Sequence, residues 1–141
     1  MSGPDLADAL AAGRYDEVLS RTDAILAATP GNDAAHEHRA RALLALGRLD
    51  EAERHAQDAV RLDPEAREAL ADARWLSGQE APAFDEFRAL ANERTGRDRE
   101  RLIRKARDLY RRRSGALGRL VASVGPLFDL AFRNGWLRIG R

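Results

Sequence analysis

Cysteine is absent from this chain, which excludes disulfides, thiolate metal sites and thiol nucleophiles together. Aromatics are scarce. Four Phe, two Trp and two Tyr among 141 residues leave little for a conventional core, so small Ala-rich contacts between helices must do much of the packing. No 18-residue run is free of charge, so no classical transmembrane helix is expected. The opening MSGPDLADAL has no basic region leading into an apolar stretch. A secretory signal is therefore not expected, and a cytoplasmic protein is the default, with a peripheral membrane association as its variant. Lysine is nearly missing: Lys105 is the single Lys among 24 basic residues. A GC-rich genome accounts for that bias as readily as bidentate arginine chemistry does.

The groups that carry catalysis are also thin. The histidines are His36, His38 and His55. His36 and His38 stand two apart on an expected helix, so they point away from each other and cannot share a metal. His55 falls on the next helix, with no acidic cluster to complete a site, and all three read as structural or solvated. The few Ser and Thr have no recognisable base and orienting partner. Gly115 and Gly118 bracket Ala and Leu without the Lys-Ser/Thr of a phosphate loop. The sequence therefore points away from an enzyme, and implies no catalytic residue, no cofactor and no metal.

What is present is helical composition and a repeat. Ala, Leu, Arg, Glu and Asp dominate, and 33% of residues are charged. GRYDEVLSRTDAILAATP, from Gly13 to Pro30, returns as GRLDEAERHAQDAVRLDP, from Gly47 to Pro64, at an offset of 34 residues. The expected helices run from Pro4 to Ala12, from about Asp16 to Ala28, from Asp33 to Leu46 and from Leu49 to Leu62. Gly13, Thr29-Pro30-Gly31-Asn32, Gly47 and Asp63-Pro64 punctuate them. A third pair begins at Pro64 and reaches Gly78, 31 residues after Gly47. Losing three residues around Glu65–Arg67 restores the phase, with Pro82 in the first turn of the following helix. Paired carboxylates Asp16-Glu17 and Asp50-Glu51 recur at helix starts, where negative charge suits the helix dipole.

The pattern resembles the tetratricopeptide repeat (TPR). Gly47, Leu49, Ala52, Ala59 and Pro64 carry the resemblance in the second unit, and Gly13, Tyr15 and Pro30 carry it in the first. It covers residue 3 to about 95. His36 and Arg39 depart from it by standing where large apolar residues normally pack. The resemblance implies an all-α fold: a short right-handed α-solenoid of about three TPR-like helix pairs over residues 3–95, with C-terminal capping helices in 96–141. It also implies a protein partner bound along a groove lined by the first helix of each pair. By position that groove holds Ala7, Leu10 and Ala11, then Glu37, Arg41, Leu44 and Ala45, then Glu68, Asp72, Trp75 and Leu76. Chaperone-binding members of the family clamp a C-terminal carboxylate with Lys and Asn. Here Ala7, Glu37 and Arg41 stand at the corresponding positions, so that clamp is not expected. An apolar ladder of Leu10, Leu44 and Trp75 remains, flanked by Arg41 and Asp72. It reads equally as helix packing and as a peptide site anchored on Trp75.

The C-terminal third has its own character. Residues 94–141 carry 14 Lys/Arg against 4 acids, whereas residues 1–64 carry 7 against 12. The helix expected over Asp98–Arg113 sets Leu102, Ile103, Ala106, Leu109 and Tyr110 on one stripe. Arg97, Arg101, Arg104, Lys105, Arg111 and Arg112 form a basic surface around it. A further apolar helix is expected over 116–132, kinked or split at Gly125-Pro126. These helices read first as a cap, and alternatively as an element for an anionic membrane surface with Trp136 at its end. Nucleic acid is a third alternative, without sequence specificity, because Tyr110 is the one aromatic on the basic helix and lies on its apolar stripe. A homodimer that exchanges the C-terminal helix also stays open. The composite expectation is a bacterial-type, non-enzymatic adaptor or scaffold, with the basic third as the alternative working part.

Overall fold

A computed structural model describes residues 5–139, and these contain helices and turns but no strand. They fall into two compact units that divide after Ser77. The division lies within the third helix pair expected from the repeat.

The first unit holds α1 (Leu6–Ala11), α2 (Tyr15–Ala28), α3 (Asp33–Ala45), α4 (Leu49–Leu62), a 3₁₀ turn (Pro64–Ala66) and α5 (Arg67–Leu76). The expected start at Pro4 lies outside the described residues. Each helix packs on its successor in α1–α4, α5 packs on α4, and α1 and α5 both reach α3. The repeated GR-x-DE signature folds twice into the same device. Gly13 and Gly47 each take φ +75°, where a side chain is strained, although nothing stands within 4 Å of where their Cβ would be. They are needed for conformation, not for space. The following arginine closes the turn: Arg14 N–H donates to Ala9 O and Arg48 N–H to Leu43 O, both at 2.9 Å. Its guanidinium then pairs with the helix-start glutamate, Arg14 with Glu17 at 2.7 Å and Arg48 with Glu51 at 2.8 Å.

Where the chain turns the other way, side chains cap the helix. Asn32 Oδ1 accepts from Ala35 N–H at 2.9 Å at the start of α3, and Asp63 Oδ1 accepts from Glu65 N–H at 2.9 Å. The 3₁₀ turn absorbs the missing residues of the third pair, leaving α5 with 10 residues against 13 in α3. The core is built from small residues. Ala9, Ala40, Ala42, Ala52, Ala56, Ala59, Ala69, Ala71 and Ala73 are fully buried beside Val18 and Leu43, so backbones approach closely without aromatic filling.

The second unit contrasts with this, for it holds all four phenylalanines of the chain. Its helices are α6 (Glu80–Glu93), α7 (Gly96–Arg113), α8 (Ala116–Ser123) and α9 (Gly125–Arg133). Successive helices pack together, except that α9 returns to α6 as well as α8. Phe84, Phe87, Phe128 and Phe132 are fully buried. Phe84 lies 5.1 Å from Phe132 and 5.8 Å from Tyr110 between ring centroids, and Phe128 lies 5.5 Å from Phe132, so a single aromatic cluster ties α6, α7 and α9. The split expected at Gly125-Pro126 is present. Val124 leaves helical geometry at φ −98°, ψ 93° as the cap of α9, since in one continuous helix the Pro126 ring would clash with the Ala122 carbonyl, whereas the first turn of a new helix accepts it.

Candidate functional site

In the first unit α1, α3 and α5 set Leu10, Arg41, Leu44, Ala45, Asp72, Trp75 and Leu76 around one cleft of about 320 Å³, with Tyr15 of α2 as a further wall. Leu10, Tyr15 and Leu44 also pack against the buried cluster of Ala9, Val18, Leu19, Ala42 and Leu43. The cleft therefore has a fixed floor of core side chains. Arg41 and Glu37, four residues apart on α3, hold each other at the rim: Nε and Nη2 of Arg41 donate to Glu37 Oε1 at 3.1 and 2.8 Å. Asp72 brings a second carboxylate to the lining. Trp75 is half-buried and Leu76 is 53% exposed. The arrangement is a mostly apolar slot bearing one acid and one base, which suits insertion of a large apolar side chain and offers no nucleophile or proton-transfer pair.

Of the residues expected in the groove, Ala7, Ala11 and Glu68 lie outside this lining, and Glu37 reaches it only through Arg41. Tyr15 was not expected there. It is the first residue of α2, one residue earlier than the expected start at Asp16, and its ring projects beside Leu10 and Leu44. The basic surface residues all lie on α7. Arg97, Arg101, Arg104, Arg111 and Arg112 are exposed. Lys105 instead lies half-buried, with Nζ 5.7 Å from the centre of the Phe87 ring.

The histidines are arranged otherwise than the sequence reading held. His36 and His55 meet across the α3–α4 hairpin, Nδ1 to Nδ1 at 3.0 Å, and Asp58 Oδ2 lies 4.0 Å from His36 Nδ1. The separation of His55 from His36 and the lack of a completing acid are both overturned. The signal was available: Arg39 and His55 each stand eight residues from the Gly47 turn, so an antiparallel hairpin sets them opposite each other. Arg39 Nε donates to His55 Nε2 at 3.1 Å, which fixes that nitrogen as an acceptor. In the neutral ring the proton then sits on Nδ1 and is donated to His36 Nδ1, and His36 Nε2–H is donated to Pro30 O at 2.9 Å. The chain of donors is complete with both rings neutral.

His36, His55 and Asp58 offer three ligand atoms within 4.8 Å of one another, but the donor pattern opposes a cation. Ligation through His55 Nδ1 would move the proton to Nε2, facing the Arg39 N–H, and Asp58 is already paired with Arg61. Burial, then the Arg39 charge, then His36 hold the His55 imidazole below its ordinary range, against a smaller opposing effect of Asp58.

The same stretch of chain matches known proteins. The tetratricopeptide-repeat family profile matches residues 9–75, the span that builds the Gly-punctuated hairpins and most of the cleft. Residues 9–75 are a tetratricopeptide-repeat region. Over 52 residues it is 46% identical to an inactive TPR repeat-containing thioredoxin of Arabidopsis thaliana. That stretch is 37% of this chain and 8% of the relative, so the chain spans a small part of that protein. No solved structure matches. TPR repeats generally mediate protein–protein contact.

Proposed function

We propose that this TPR protein is a non-enzymatic adaptor that binds a protein partner by seating an apolar side chain of the partner in the Leu10–Leu44–Trp75 cleft. The observation that carries the reading is the convergence of three first helices on one slot whose floor is core and whose rim bears Arg41 and Asp72. A flat tryptophan beside two leucines gives a large contact area at low ordering cost, the usual character of an anchoring pocket. The rim charges set register: a partner base would face Asp72, and a partner acid would face Arg41. Family membership supports the partner class, and the absence of a nucleophile–base pair in the cleft supports binding over chemistry.

The test is a displayed peptide library selected on the immobilised chain, followed by titration of the recovered peptides. Peptides sharing a large apolar residue should be enriched, and Trp75→Ala should weaken them at least about tenfold, the loss typical of an anchoring aromatic. Enrichment without dependence on Trp75 would move the binding surface elsewhere, and no enrichment at all would end the proposal.

A further inference from the structure

The cap formed by α8 and α9 has two apolar sides, and only one is used inside its unit. On the inner side Ala122, Phe128, Ala131 and Phe132 are buried. On the outer side Leu117 is 75% exposed, Leu120 63%, Val124 46%, Leu127 46% and Leu130 54%, and Trp136 beyond α9 is 68% exposed. Capping explains the first set and leaves the second without a role. So many large aliphatics exposed within one short stretch mark a contact surface.

We propose that this outer face of α8 and α9 docks on an anionic lipid surface. The charges select that occupant. Arg119 and Arg133 are exposed on the same two helices, with Arg111 and Arg112 just before them and Arg138 just after, while Arg113 is paired with Glu80. From Ser114 to Ile139 the one acid is Asp129, and it is half-buried. Leucines bordered mainly by cations match the acyl and phosphate layers of an anionic bilayer. They do not match a second copy of the chain, because a symmetric contact would set Arg119 and Arg133 against their own copies, while the one acid of the segment, Asp129, is half-buried. Nor do they suit nucleic acid, since aliphatic side chains neither stack on bases nor bind phosphates.

Trp136 sits where an interfacial anchor is wanted. Gly135 takes φ +72° and Trp136 N–H donates to Ala131 O at 2.9 Å, so a closed helix end presents the ring at the edge of the face. With 8 and 9 residues, α8 and α9 are too short to span a bilayer, and no described helix is long and apolar enough to cross one. The element lies on the membrane plane.

Sedimentation of the full chain with vesicles tests this, comparing phosphatidylcholine alone with phosphatidylcholine containing about a third phosphatidylglycerol. The chain should partition onto the anionic vesicles and much less onto the neutral ones. Leu120→Glu/Leu127→Glu and, separately, Arg119→Glu/Arg133→Glu should each lower partitioning about tenfold or more. All four positions are exposed, and an unchanged thermal melt will confirm that each variant folds. Three results overturn the proposal. One is no partitioning of the wild-type chain. Another is equal partitioning of the leucine variant, which would leave a bare attraction of cations for any polyanion, nucleic acid included. The third is a vesicle-free, concentration-dependent dimer that the leucine variant abolishes.

Discussion

Arg39 occupies a position in α3 where a repeat of this family ordinarily packs a large apolar side chain, and the neighbourhood has been rebuilt around its charge. Its Nη1 donates to Leu19 O at 2.9 Å and to Thr22 Oγ1 at 3.1 Å and lies 2.8 Å from Asp23 Oδ1, while its Nε holds His55. Thr22, fully buried, donates in turn to Val18 O at 2.7 Å. A network that joins α2, α3 and α4 and depends on a neutral His55 makes stability depend on pH. The folded-state pKa of His55 lies below its unfolded value of about 6.5. Above pH 6.5 both states are neutral there and the contribution is fully present. As pH falls below that, the unfolded chain takes up a proton that the folded one refuses, and stability is lost until the folded ring titrates too. The ionisable groups acting on the ring are Arg39, His36, Asp58 and Arg54. The urea midpoint should therefore drop between pH 7 and pH 5, and the slope should be shallower in His55→Gln. An identical slope in the variant would remove His55 as its source.

At the scale of elements, the legible part was punctuation and the illegible part was approach. Gly13, Gly47, Asn32 and Asp63 act within five residues of their own positions, through backbone bonds whose geometry is local, so the sequence displays them directly. The same locality made the split at Gly125-Pro126 readable. The meeting of His36 with His55 spans 19 residues and emerges only when α3 and α4 are folded back about Gly47, a spacing that periodicity on one helix does not reveal. The cleft shows both sides. Leu10, Leu44 and Trp75 follow from register within the repeat, whereas Tyr15, at the start of α2, enters the lining only once α2 is packed on α1. Likewise, two glycines at the α7–α8 junction look alike in sequence and differ in space. A Cβ on Gly118 would collide with Ser114 Cβ and stand 3.3 Å from the Tyr110 ring, whereas one on Gly115 would meet nothing within 4 Å. Gly118→Ala should then force α8 away from α7 and destabilise the second unit by roughly 1–3 kcal/mol, the usual cost of overpacking. Gly115→Ala, at an exposed helix start, should cost well under about 1 kcal/mol. Thermal melts of the two variants decide it, and equal midpoints would mean that the close approach is not kept in solution.

For the molecule as a whole, the two units differ in both charge and packing chemistry. Residues 1–77 carry 15 acids against 9 Lys/Arg, whereas residues 78–141 carry 8 against 15. The first unit packs on alanine and bears an apolar cleft, and the second packs on phenylalanine and bears an aliphatic face rimmed by arginine. The proposed surfaces share no residue, so a partner and a membrane need not compete, and an adaptor could hold its partner at a lipid surface. Salt should separate the two contacts. Apolar burial around Trp75 is insensitive to screening at moderate ionic strength, while attraction to an anionic bilayer weakens as the Debye length contracts from about 10 Å at 0.1 M to about 3 Å at 1 M. Raising salt across that range should release the chain from anionic vesicles and leave peptide affinity within about twofold. Trp75→Ala should weaken peptide binding about tenfold or more while vesicle partitioning stays at the wild-type level, and Leu120→Glu/Leu127→Glu should do the reverse. If either substitution disables both activities, the surfaces are one site or are coupled, and the adaptor reading must give way to a single binding event.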